Sequence, residues 1–162
     1  MTVVSQFRTE RPASADITPL RTANTSWRGF LRSLALTMDL RIDAAGRNAL
    51  LRATGETMSR LMPLPSSGSL AALSLEMNAI LDEIGWGRVK VVFDEAERCV
   101  LLSHTGLPLV GSAGDPAGFW LAPALEGLYQ GWMTQQPGCD PALAARIVGV
   151  EAGAVLIRFG KG

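Results

Sequence analysis

The stretch with the composition of a phosphate cradle is Gly111-Ser-Ala-Gly114-Asp-Pro-Ala-Gly118. It lacks the Gly-Lys-Ser/Thr ending of a P-loop and the GxGxxG spacing of a dinucleotide site. Asp115 would also hold a carboxylate where an anion should sit at a helix N-terminus. A turn closed by a helix cap accounts for the run better. The single histidine, His104, and Cys99 could be imagined as a base and its nucleophile. On one strand at that spacing they point to opposite faces, so a strand-end histidine and a buried thiol are expected instead. The carboxylates Asp82-Glu83 and Asp94-Glu95 with Glu97 fall at a helix end and a hairpin turn, where solvated charge is the expectation. Trp120 and Trp132 lie on a helix face and suit a core or an interface better than a sugar platform. Cys99 and Cys139 form no CxxC pair, and one histidine cannot build a multi-histidine metal site. No catalytic constellation assembles, and no metal and no cofactor is expected.

The chain that must position these residues has 162 of them, enough for one domain. With 48% apolar and 19% charged residues it can bury a core. Fifteen basic and fifteen acidic side chains cancel, which disfavours nucleic acid and a polybasic membrane anchor as partners. No apolar run approaches the length of a membrane span. The charge is unevenly placed: residues 1–60 hold nine basic and five acidic side chains, the remainder six and ten. A basic leading segment facing an acidic body is one reading of that split.

Residues 1–25 have no apolar period and are rich in Ser, Thr, Arg and Pro, so a mobile arm is expected there, with one domain over 26–162. The arm has no hydrophobic core of a secretory signal, which points to the cytoplasm, where two unpaired thiols are at home. Ser26 is the expected N-cap of a first helix, with Trp27, Phe30, Leu31 and Leu34 on one face. A second helix is expected between Asp43 and Pro63, lined on one side by Leu50, Leu51, Thr54, Met58 and Leu61. A third begins near Ser69 with a seam of Leu70, Leu73, Met77, Ile80, Leu81 and Ile84, suited to packing on another helix.

After Gly85-Trp86-Gly87 the period becomes two. Val89–Asp94 and Arg98–His104 predict one hairpin, and Arg146–Val150 with Ala154–Phe159 a second. Between them a fourth helix, opening at Asp115-Pro116, carries Trp120, Leu121, Leu125, Leu128 and Trp132. Its Ala124, Gly127 and Gly131 leave one side nearly bare, so another backbone can approach. Trp120, Ala124, Gly127 and Gly131 are the candidate oligomer interface. The fold class is α+β: N-terminal helices, then a small antiparallel sheet of two hairpins with one helix inserted between them.

The run Val110-Gly-Ser-Ala-Gly-Asp-Pro-Ala-Gly-Phe-Trp-Leu-Ala-Pro-Ala-Leu-Glu-Gly-Leu-Tyr129, continuing Gly131-Trp-Met-Thr-Gln-Gln-Pro-Gly138, resembles the D subunit family of bacterial cellulose synthase. Arg47-Asn-Ala-Leu-Leu-Arg52 with Gly55, and Glu76-Met-Asn-Ala-Ile-Leu81 with Gly85-Trp86-Gly87, fit the same family. The resemblance implies a non-enzymatic accessory component of cellulose biosynthesis. It implies a ring-like homo-octamer, a tetramer of dimers, whose passageways align β-1,4-glucan chains from the cellulose synthase complex. A proline-rich cellulose complementing protein is a further implied partner. Because the family's amino-terminal segments line the passageways, Gln6, Arg8 and Arg11 are the candidate glucan contacts. The cytoplasmic side of the inner membrane is favoured, the periplasm being the alternative. The order of helices and the Gly-Trp-Gly before a hairpin are also similar to V4R-type small-molecule sensor domains, which would make the protein a ligand-binding regulatory module.

Overall fold

A computed structural model describes residues 20–108 and 119–161, with side chains from Trp27 onward. Three helices lead: α1 (Leu20–Arg41), α2 (Ala44–Leu61) and α3 (Leu70–Ile84). The first hairpin, β1 (Arg88–Asp94) and β2 (Cys99–Thr105), follows them. One 3-10 turn (Phe119–Leu121) opens α4 (Ala122–Thr134), and β3 (Ala144–Glu151) and β4 (Ala154–Gly160) form the second hairpin. β2 pairs with β4, so the hairpins merge into one antiparallel sheet of order β1-β2-β4-β3. The expected α+β class and the two hairpins are what is found.

Local signals set the helix ends. The Asp43 carboxylate accepts from the Gly46 N–H at 2.8 Å and starts α2. Ser69 Oγ accepts from the Ala72 N–H at 3.1 Å and starts α3, which Gly85 ends in the left-handed conformation, φ 67°. One face of the sheet, with Val89, Leu102, Val155, Ile157 and Phe159, buries against Leu73, Met77 and Leu81 of α3 and Leu125, Leu128, Tyr129 and Trp132 of α4. A second, smaller cluster gathers Ala35 and Met38 of α1, Leu51 of α2, and Trp120 and Ala124.

Three expectations need correction. Helix α1 begins at Leu20, so Ser26 lies inside it rather than capping it. The buried line of α2 is Leu51, Gly55 and Ser59, while Leu50 and Leu61 are exposed, because the partner of α2 is a backbone that needs small residues opposite it. The α3 seam packs chiefly on β1 and the sheet, in a core it shares with α4, rather than forming a helix-on-helix seam. Helix α4 starts at Ala122 with Pro123 in its first positions, where the missing N–H costs no helical bond. The expected opening at Asp115-Pro116 lies outside the described residues.

Candidate functional site

Helix α4 is the element around which the polar and close-packed groups collect. A β-carbon added at Gly55 would overlap the Ala124 carbonyl, one at Gly127 the Arg52 carbonyl, and one at Gly131 the Ser59 hydroxyl. The two helices therefore meet backbone to backbone, which only glycine permits. Polar side chains of α4 then finish the last turn of α2 and the loop beyond it. Trp132 Nε1 donates to the Met62 carbonyl at 2.8 Å, and Gln135 Nε2 to the Ser59 carbonyl at 3.1 Å. Gln136 accepts from the Ser67 N–H at 3.0 Å, fixing the loop that follows α2.

The four residues expected at an oligomer interface lie along this contact. Trp120, Ala124 and Gly127 are buried, Gly131 is half-buried, and the small-residue face meets α2 of the same chain. The close approach foreseen from the glycine spacing is real, but it is made within one protomer. Gln6, Arg8 and Arg11 lie outside the described residues.

Glu126 sits in the middle of α4 with 4% of its surface exposed. Its Oε1 accepts from Arg52 Nε and Nη2, both at 2.9 Å, and from Arg146 Nη1 at 3.2 Å. Its Oε2 accepts from the Ile147 N–H at 3.3 Å. One buried carboxylate thus ties α2, α4 and the edge strand β3 together, and charge-assisted bonds compensate its desolvation.

His104 is fully buried between two partners. A carbonyl can only accept, so Nε2–H donates to the Trp86 carbonyl at 2.7 Å, and Nδ1 accepts from the Tyr129 hydroxyl at 2.5 Å. Burial lowers its pKa from 6.5 to about 4, against the opposing pull of the Trp86 hydrogen bond. Burial likewise pushes the Tyr129 phenol well above its ordinary value. Both groups are neutral, as the bond from hydroxyl to imidazole requires. His104 stands at the end of β2, as expected, and there it fastens the Trp86 corner and β2 to α4. Cys99, on the alternate position of β2, is buried beside Gly160. The two are not joined into a nucleophile and base.

The apolar face of α1 is covered in part. Ala35 and Met38 are buried, but Trp27 is 60% exposed, Phe30 56%, and Leu31 and Leu34 39% each. The Trp27 and Phe30 rings meet edge to face, centroids 5.7 Å apart, on this otherwise open stripe. Among the described residues no group of three His, Cys, Asp or Glu side chains could hold a metal ion, and no helix is long and apolar enough to cross a membrane.

A small-residue helix buried on a second helix, with a carboxylate of its own tied to two arginines and a histidine of β2 tied to its tyrosine, needs a long stretch of particular sequence to recur. The chain matches the family of cellulose synthase D subunits over residues 14–160. It belongs to that family. It is 43% identical over 109 residues to a cellulose synthase operon protein D of Komagataeibacter xylinus, covering 67% of this chain and 70% of that one. A protein of the same name from Komagataeibacter sucrofermentans is 44% identical over 109 residues, with the same coverage. A role in cellulose synthesis goes with the family, and this membership takes the place of the sensor-domain alternative.

The informative residues of this family member are partly hidden in its sequence. Glu126 carries a signal: it is a lone charge within the apolar run Ala124-Leu-Glu-Gly-Leu128. Its partners Arg52 and Arg146 carry none, because nothing local marks which arginines cross to it. Tyr129 is the single tyrosine of the chain, and its pairing with His104 is likewise a product of tertiary packing.

Proposed function

We propose that the protein is a non-catalytic scaffold of the bacterial cellulose synthesis machinery. It assembles into a ring-like homo-octamer, a tetramer of dimers, which keeps nascent β-1,4-glucan chains aligned as they leave the synthase complex and so promotes crystalline cellulose. The observation that carries the reading is the stripe of Trp27, Phe30, Leu31 and Leu34, which lies open on a single protomer. Each such side chain gains roughly 1.5–3 kcal/mol on burial, so a second copy is its natural cover. Glu126 of α4 and His104 of β2 point the same way, since each is held by structural partners.

In this reading Gln6, Arg8 and Arg11 offer hydrogen-bond donors to sugar hydroxyls from the amino-terminal segment. The ring works on the cytoplasmic side of the inner membrane, with a proline-rich cellulose complementing protein as a further partner. Native mass spectrometry of the full chain tests the assembly, with an octamer expected and a monomer fatal to it. A variant with Gln6, Arg8 and Arg11 all changed to alanine should keep the native mass. In a strain lacking the wild-type gene it should give cellulose of reduced crystallinity by X-ray diffraction. Normal cellulose from that strain would remove the three residues from the glucan path.

A further inference from the structure

The two edges of the sheet are finished differently. At the β3 edge, Gln130 Oε1 accepts the Ala145 N–H at 2.6 Å and Glu126 Oε2 accepts the Ile147 N–H at 3.3 Å. A register shift between Ile147 and Gly149 then bends the strand. Such caps and bulges are how proteins keep an edge from pairing with another chain. At the β1 edge one residue is treated this way. The Asn78 amide donates to the Val89 carbonyl at 2.9 Å and accepts the Val89 N–H at 2.9 Å, a one-residue imitation of a neighbouring strand.

In an antiparallel ladder, residues two apart direct their backbone groups to the same side. Val91 and Phe93 therefore face outward with Val89, and their N–H and C=O groups have no partner among the described residues. The edge is also apolar, Val92 being 45% and Phe93 51% exposed, and no proline interrupts it.

A cleft of about 340 Å³ opens where the edge ends, lined by Leu70, Leu73, Phe93, Val100 and Phe159, with Arg98 among its walls. That volume accepts a large apolar side chain. Arg98 is exposed, makes no hydrogen bond or ion pair among the described residues, and holds a left-handed backbone, φ 48°, that an arginine adopts at a cost. Glycine would fill that turn position with less strain.

We propose that the β1 edge and this cleft are a docking site for an extended segment of a partner protein, which adds to the sheet as a fifth strand. The segment has free backbone amides at the two positions facing Val91 and Phe93, an apolar side chain in the cleft, and a carboxylate against Arg98. Main-chain bonds supply affinity and the cleft and Arg98 supply specificity. The site does not depend on the ring or on glucan binding.

Hydrogen exchange on the full chain tests it. The probe is a capped synthetic peptide that alternates threonine with valine or phenylalanine and ends in aspartate, and the control is the same peptide N-methylated at alternate amides. The probe should slow exchange of the Val91 and Phe93 amides about tenfold, and the control should not. Val91→Pro removes one outward N–H without touching a bond to β2, so it should fold and lose the protection. Arg98→Gly should keep or raise the melting temperature, yet lower the affinity for the aspartate peptide about fivefold, to that of an asparagine-ended peptide. Three results would overturn the proposal: no protection at millimolar peptide, equal protection by the N-methylated peptide, or peptide-free protection that grows with protein concentration. The last would assign the edge to a second copy.

Discussion

Helices α4 and α1 carry apolar residues at the same three-and-four spacing, yet one is buried on every side and the other stands largely open. Helix α4 is enclosed by α2 and the sheet, and it buries nine of its residues, from Ala122 to Met133. Its polar members each have a fixed partner: Glu126 two arginines, Tyr129 the His104 imidazole, Gln130 the β3 edge, Trp132 the end of α2. Helix α1 rests on the body through Ala35 and Met38, and beyond them its stripe is the exposed apolar surface of Trp27, Phe30, Leu31 and Leu34. Spacing says that a face wants cover. What kind of cover is set by the residues on it: glycines admit a backbone at one fixed distance, whereas large rings accept side chains from a separate molecule.

The largest effect is expected where that distinction is sharpest. Gly127→Val would drive side-chain atoms into the Arg52 carbonyl, and neither backbone can yield without losing helical bonds. Overpacking of this kind should cost about 3 kcal/mol or more, seen as loss of the cooperative thermal transition by circular dichroism. A variant that melts like the wild type would mean that α2 and α4 are not in contact.

These glycines also mark how far the sequence can be read. Helix α3 is legible throughout, because its N-cap Ser69, its seam and its C-cap Gly85 are all local. So are the hairpins, whose period of two is written residue by residue. Gly127 and Gly131 announce a close approach but not its partner, since Arg52 and Ser59 are distant in sequence and match them only in three dimensions. The stripe of α1 is legible as apolar, but no periodicity distinguishes burial within a chain from burial between chains. His104 alternates correctly away from Cys99. What it lacks in sequence is Tyr129, brought to it by α4.

Burial of His104 against α4 gives the protomer a pH dependence to which the open stripe of α1 contributes nothing. The imidazole has a pKa of about 4 when folded and 6.5 when free, so between those values the unfolded chain binds more protons. Stability is therefore complete above pH 6.5 and falls as pH drops toward 4, by about 3 kcal/mol for a shift of this size. Denaturant titrations across that range check it against His104→Gln, which should be less stable at pH 7 and flatter with pH. A wild-type slope retained in the variant would assign the dependence to other groups.

A smaller loss is expected at Glu126→Gln. The amide keeps one acceptor for Arg52 but loses the charge that holds two guanidinium groups and the β3 edge. Arg52 and Arg146 are 39% and 64% exposed along their side chains, so water takes over part of the missing interaction. A cost of about 2 kcal/mol follows, measurable as a lower denaturation midpoint. Faster exchange at the Ile147 amide should accompany it, since that N–H loses its carboxylate acceptor. A loss of stability without that local signature would place the role of Glu126 elsewhere.

The smallest effect on the protomer, and the one that separates the two helices most clearly, belongs to Trp27→Ser combined with Phe30→Ser. Both rings are more than half exposed, so the isolated protomer loses little by their removal, within about 0.5 kcal/mol. Assembly should lose much more, because each ring would be a large apolar group buried between copies. The wild-type melting temperature should rise with protein concentration, as mass action requires of a self-associating chain, and the double variant should melt at one temperature throughout. Its native mass should fall to that of a smaller species. Leu40 provides the control: it is 82% exposed but lies on the other side of α1 from Trp27, Phe30 and Leu34, so Leu40→Gln should leave mass and melting unchanged. If the double variant keeps the wild-type mass while Leu40→Gln loses it, then the interface runs along the opposite face of α1, and the stripe is covered by something other than a second copy.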